Sequence, residues 1–208
     1  MYLFSRTAVL GGGLTASMSW AADITNHIND KHDIGLSLWG VSQGAPVGTV
    51  GWTAMFESHA AQADAGAAIQ ADPEYLRLVD EGQEFMLPGS GQDALRQILD
   101  GGPGDTPAQV AILTTGQAGN GKIVQAIEFG IETNQYLSSL TGLESAFLVD
   151  AYGAFGQVTW IQGFPDMAAV DAALETINSD PGYMERVTNA GALFVEGTGH
   201  RSLGARIL

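Results

Sequence analysis

Four histidines are the side chains of this sequence best suited to moving a proton at neutral pH. His27, His32 and His59 fall in the first half of the chain, and His200 stands near its C-terminus. A general acid or base is the chemistry such residues offer, and His59 and His32 are the expected catalytic pair. The plainer role for each is structural: His32 ends a helix, where a cation suits the dipole, and His59 opens one. Trp39, His27, Thr53 and Met55 are the expected substrate-binding residues, since an aromatic wall with small, partly polar neighbours suits a flat apolar ligand. The chain has no cysteine, which removes disulfides and thiolate chemistry and fits a cytoplasmic protein. No Ser-His-Asp constellation can be assembled from spacing.

Other chemistries fail on ligand count or on one residue. His27 and His32 are five positions apart, which directs them to different faces of a helix. Glu57 and His59 offer two ligands at a strand end without a third, so no metal site is expected. Gly116-Gln117-Ala118-Gly119-Asn120-Gly121-Lys122 imitates a phosphate-binding loop, but Ile123 stands where the magnesium-binding hydroxyl belongs. It reads as a tight strand-to-helix turn, like Gly11-Gly12-Gly13.

The formal charge of −15 with only two lysines, Lys31 and Lys122, opposes nucleic acid and anionic lipid. A small molecule is the expected partner, and self-association into a homo-oligomer stays open. No apolar run is long enough to form a transmembrane helix. The first 22 residues imitate a signal peptide. Their strand has a counterpart later in the chain, so they are expected to belong to the fold.

That counterpart belongs to a repeat. Sliding the sequence by 108 residues superimposes Trp52 on Trp160, Phe56 on Phe164, and Asp72-Pro73-x-Tyr75 on Asp180-Pro181-x-Tyr183, without a gap. In this register His27, His32 and His59 face Gln135, Leu140 and Met167, so the histidines mark the first copy alone. Each copy reads β-α-β-β-α-β, with Gly48–Phe56 and Gly156–Phe164 as the clearest strands and Glu84–Leu87 and Ala192–Glu196 as the closing ones. Ser58 and Asp166 are helix N-caps, and each Asp-Pro restarts a short helix. Along the third strand Val50, Trp52, Ala54 and Phe56 are expected to pack on helices, leaving Thr49, Gly51, Thr53 and Met55 on the other face. The expected organisation is a first unit over 1–99, a Gly/Pro linker over 100–108 and a second unit over 109–208.

The string Trp52-x-x-x-Phe56-Glu57-Ser58-His59-Ala60-Ala61 leading to Asp72-Pro73-Glu74-Tyr75, with its second copy from Trp160 to Tyr183, resembles the dimeric α+β barrel superfamily. The resemblance spans nearly the whole chain and is similar to antibiotic-biosynthesis monooxygenase, NIPSNAP and EthD-like members. It implies two ferredoxin-like repeats closed into a pseudo-dimeric barrel. It also implies cofactor-independent oxygenation, or acid/base isomerisation or cyclisation, of an apolar or aromatic metabolite. Non-catalytic binding or assembly is the alternative. Some members bind haem; here the usual position after Asp72-Pro73 holds no histidine, which leaves His200 or His59 as the ligand.

Overall fold

The computed structural model describes residues 1–104 and 106–208, so Asp105 of the expected linker lies outside the described residues. The chain separates into two compact units, Met1–Leu95 with Ala205–Leu208, and Arg96–Gly204. The first half runs β1 (Tyr2–Val9), α1 (Leu14–His32), β2 (Ser37–Gln43), β3 (Thr49–Phe56), α2 (His59–Gln70), α3 (Pro73–Gly82) and β4 (Gln92–Gly101). The second runs β5 (Val110–Gln117), α4 (Ile123–Thr141), β6 (Ser145–Tyr152), β7 (Gln157–Phe164), α5 (Met167–Ser179), α6 (Pro181–Ala190) and β8 (His200–Arg206). The strands follow the order β1-β3-β2-β8-β5-β7-β6-β4 in a closed barrel. The fold is α+β, two ferredoxin-like βαββαβ repeats, as expected.

In the first unit β3 is the central strand. It pairs antiparallel with β1, setting Ser5 opposite Thr53 and Thr7 opposite Gly51. It pairs with β2 on its other edge, setting Ser37 opposite Thr53 and Trp39 opposite Gly51. Ala8, Leu38, Val50, Trp52 and Ala54 turn to the helices and bury against Trp20, Ala21, Ile24 and Ile28 of α1. The period of two then places Trp39, Gly51, Thr53 and Met55 on the helix-free face, as expected for β3.

Local signals account for the helix ends. Ser58 accepts a bond from the Ala61 N–H and Asp72 one from the Glu74 N–H, capping α2 and α3 as a short oxygen side chain should. Pro73 occupies the first turn of α3, where its missing N–H costs no helical bond. Helix α1 ends at Asp33 in the left-handed conformation, φ 50°. Glycine fills the matching position at Gly142, φ 67°.

Two features differ from the expectation. Glu84–Leu87 and Ala192–Glu196 are not strands. Each makes one bridge, Leu10 with Met86 and Ala118 with Phe194. Glycines at positive φ, Gly89 and Gly197, then turn the chain, and the closing strands are β4 and β8. The copies also do not match without a gap. Helix α1 and β2 correspond to α4 and β6 at an offset of 109: Ser17 to Ala126, Leu38 to Phe147 and Asp33 to Gly142, each pair equivalent in burial or cap. One extra residue in the Gly119–Lys122 turn and one fewer in the β6–β7 hairpin absorb the shift. Chance identities of small residues masked it in the sequence.

Candidate functional site

The sheet of the first unit divides the expected site residues into two groups. His27 and His32 lie on α1, on the helix side. His59 opens α2 with its ring centroid 4.3 Å from that of Tyr2, a residue that shares its face of β1 with buried Ala8. Trp39, Thr53 and Met55 lie on the helix-free face, so the sheet backbone separates them from all three histidines.

On the helix side His27 and His32 do come together, on Asp72. Its Oδ2 lies 2.7 Å from His27 Nε2 and 3.2 Å from His32 Nε2, while Oδ1 accepts from Lys31 Nζ at 2.8 Å and from the Glu74 N–H at 3.0 Å. An ionised carboxylate only accepts, so both rings carry hydrogen on Nε2. The five-residue spacing, expected to direct the rings apart, instead lets both reach one oxygen. The Asp72 side chain is 1% exposed. Its carboxyl is held well below the usual range, first by Lys31, then against desolvation by His27, His32 and the cap bond. Asp180 of the second unit keeps the arrangement with one partner, accepting from Tyr136 Oη at 2.6 Å and the Tyr183 N–H at 2.7 Å. At the offset of 109 His27 corresponds to Tyr136, not Gln135. The cluster thus ties the first helix to the Asp-Pro cap in both units.

On the helix-free face of the first unit Trp39 and Thr53 also come together. Trp39 Nε1 donates to Thr53 Oγ1 at 3.0 Å. Arg206 joins them, with Cζ 6.0 Å from the Trp39 ring centroid and Nη2 donating to Ser37 Oγ at 2.9 Å. Met55 sits further along, opposite Leu3.

The second unit holds a site that the sequence reading missed. Arg96 Nε lies 2.9 Å from Asp150 Oδ1, with side chains 12% and 2% exposed. Asp150 follows Leu148 on the helix-free face of β6. Leu148 stands opposite Thr159, whose Oγ1 is buried without a partner among the described residues. Thr115 flanks Thr159 from β5. Burial pushes the Asp150 carboxyl up, against the pull of Arg96. The residues that correspond to Asp150, Arg96 and Thr159 in the repeat are Val41, Gly204 and Gly51, none with a polar side chain. The asymmetry that singled out the histidines would also have singled out Asp150 and Arg96, but the charge-poor Ser42 and Gly204 that face them in the ungapped register drew no comparison. The open cleft of about 510 Å³ beside Gly102, Glu144 and Ser145 borders the start of β6, at the other end of the strand from Asp150.

No family model and no curated protein matches the chain. Solved structures do. A Fusobacterium nucleatum protein provisionally described as a monooxygenase aligns over 100% of this chain and 92% of its own, with 11% identity and a TM-score of 0.74. An anthrone oxidase-like protein aligns over 100% and 91%, with 10% identity and a TM-score of 0.68. A haem-degrading enzyme of Listeria monocytogenes aligns over 99% of both chains, with 8% identity and a TM-score of 0.53. Likeness at these identities shows the fold alone, an eight-stranded α+β barrel built of two ferredoxin-like repeats. Of the two histidines expected as haem ligands, His59 packs on Tyr2 on the helix side and His200 is exposed at the start of β8.

Proposed function

We propose that this protein is a small-molecule enzyme that acts by proton transfer on an apolar or aromatic metabolite, with Asp150 as the base and Arg96 as its electrostatic partner. The observation that carries the reading is the Arg96–Asp150 pair, nearly closed to solvent and present in one unit only. A carboxylate whose affinity for protons is increased by burial is matched to taking a proton from a carbon beside a carbonyl. The electron pair of that C–H bond moves onto the carbonyl oxygen. Arg96, always cationic, stabilises the resulting enolate charge in place of the carboxylate it has lost. Return of the proton from Asp150 to a different carbon completes an isomerisation, and internal attack by the enolate completes a cyclisation. With dioxygen as co-reactant, the same carbanion is the starting point for an oxygenation without a bound cofactor.

Thr159 Oγ1, buried and unpaired beside this pair, supplies the hydrogen bond a bound carbonyl or hydroxyl would complete. His32, engaged by Asp72, and His59, packed on Tyr2, are the proton carriers this reading offers on the helix side. Among the described residues no helix is long and apolar enough to cross a membrane, and a cysteine-free, acidic chain suits the cytoplasm.

Non-catalytic binding is the second reading, and the closure of the same pair favours it: at 2% exposure Asp150 reaches a substrate only if the site opens. Deuterium exchange separates the two. Enolisable aryl ketones are incubated with protein in D2O and followed by mass spectrometry. Exchange that falls about 100-fold or more in Asp150→Asn supports the base. Exchange equal in both proteins, or absent from wild type, removes it and leaves the binding reading.

A further inference from the structure

Gly51 stands in the middle of β3, a strand otherwise built of Thr, Val, Trp, Ala, Met and Phe. Glycine weakens a strand interior and is found there for a bulge, a bend, or the close approach of another group. No bulge is present, since the register runs unbroken from Val50 through Gly51 to Trp52 on β1 and β2. No part of the described chain fills the position either. A Cβ at Gly51 would meet only Arg6 O and Thr7 Cγ2, both at 3.9 Å, which is ordinary contact. Yet the residue is buried. A side chain has room where none is kept.

The groups around this slot describe a ligand. Trp39 stands directly opposite Gly51, and its indole N–H is already committed to Thr53, so the ring is fixed, with Arg206 Cζ over it at 6.0 Å from the centroid. Arg206 is fixed as well, with Nε donating to Leu208 O at 2.9 Å and Nη2 to Ser37 Oγ at 2.9 Å. Neither bond uses Nη1. A rigid indole face and an oriented guanidinium, 6.0 Å apart from centroid to Cζ, accept a ring by stacking and an anionic oxygen by charge-assisted hydrogen bonding. In a chain of formal charge −15, a guanidinium oriented in this way is a selective feature.

We infer that the slot over Gly51, walled by Trp39 and Arg206, binds a planar aromatic ring carrying an anionic oxygen. The inference stands on the first unit's own residues and does not need Asp150 to be a base. Titration of the full chain with 2-naphthoate and with uncharged 2-naphthamide, read by isothermal calorimetry, tests it. Naphthoate should bind the wild type, and naphthamide about tenfold or more weakly. Arg206→Met should remove that preference by weakening naphthoate alone. Trp39→Leu should weaken both. Gly51→Val should abolish binding of both by filling the slot. If Gly51→Val unfolds, the smaller Gly51→Ala, checked by circular dichroism, should weaken both about tenfold. Absence of naphthoate binding by wild type, equal loss of both probes in Arg206→Met, or unchanged binding in the folded Gly51 variant overturns the inference. The D2O exchange reads Asp150 and this titration reads Arg206, so either proposal can fail while the other stands.

Discussion

Arg96 Nε and Asp150 Oδ1 lie 2.9 Å apart on the helix-free face of the second unit, and the carboxylate is 2% exposed. Removing the cation therefore leaves a buried charge with no counterion. Arg96→Met should cost about 2–3 kcal/mol at neutral pH, the low side for severing a buried pair because Arg96 keeps some solvent contact. The sign of its pH dependence follows from Asp150. Burial already raises its pKa in the folded protein, and without Arg96 only the Ala154 backbone bond opposes that rise. The folded state then takes up a proton before the unfolded chain does, so the deficit shrinks as pH falls and grows as it rises. Urea midpoints at pH 7 and pH 4.5 measure the change. The double variant Arg96→Met/Asp150→Leu should recover to within about 1 kcal/mol of wild type, because no charge is left buried.

Asp72 carries the opposite sign. Its carboxyl is held below its ordinary 3.8, with the Lys31 bond the largest cause. A depressed folded pKa contributes stability that is present above the unfolded value and lost as pH falls below it. The protein should therefore lose thermal stability steeply from about pH 4 downward. Asp72→Asn should lower Tm by several degrees at pH 7 and much less at pH 3, where wild type has lost the same contacts. Parallel melting curves across that range check it; a deficit constant with pH would assign Asp72 a cap role only.

The equivalence of His27 and Tyr136 makes a narrower prediction. Both reach the Asp of an Asp-Pro cap from the first helix of their unit, at 2.7 and 2.6 Å. His27→Tyr should retain most of the wild-type Tm, whereas His27→Ala should lose a few degrees, since Asp72 keeps its other donors but gives up its closest contact. Thermal melts of the two variants decide it. Equal losses would show that the two positions are not interchangeable.

The fold was legible because its signals are redundant. Trp52 and Trp160, the two Asp-Pro-x-Tyr strings and the period-two faces of β3 all point to one arrangement, and the buried residues follow them. The closing strands were not legible, because Phe85 and Met86 look more strand-like than Gln92–Gly101, and only pairing distinguishes one bridge from a ladder. The site was legible in part. Trp39 and Thr53 stand out by residue type, and backbone geometry brings them together, whereas His27 and His32, expected on different faces, meet on Asp72. Their separation by the sheet depends on which parity faces the helices in β2, and a one-residue shift between copies concealed that. Arg96 and Asp150 lie 54 positions apart on strands that are not consecutive in sequence, so no local spacing announces them.

Glycine substitutions test the packing that holds these faces. A Cβ at Gly82 would collide with the Trp20 ring, and one at Gly130 with the Phe147 ring. Neither ring can yield: Trp20 donates to Leu78 O at 2.7 Å and packs edge-on to Trp52 at 6.1 Å, while Phe147 is fully buried against Trp160. Gly82→Ala and Gly130→Ala should each cost about 1–3 kcal/mol by overpacking, with loss of near-UV circular dichroism as the aromatic clusters loosen. Gly66 lies inside α2 with nothing within 4 Å of its Cβ position. There alanine removes the entropic cost of a helical glycine and meets no neighbour, so Gly66→Ala should stabilise by about 0.5–1 kcal/mol. Urea denaturation of the three variants reads both signs in one experiment. A neutral result at Gly82 or Gly130 would mean that the helices sit further from the sheet than these contacts require.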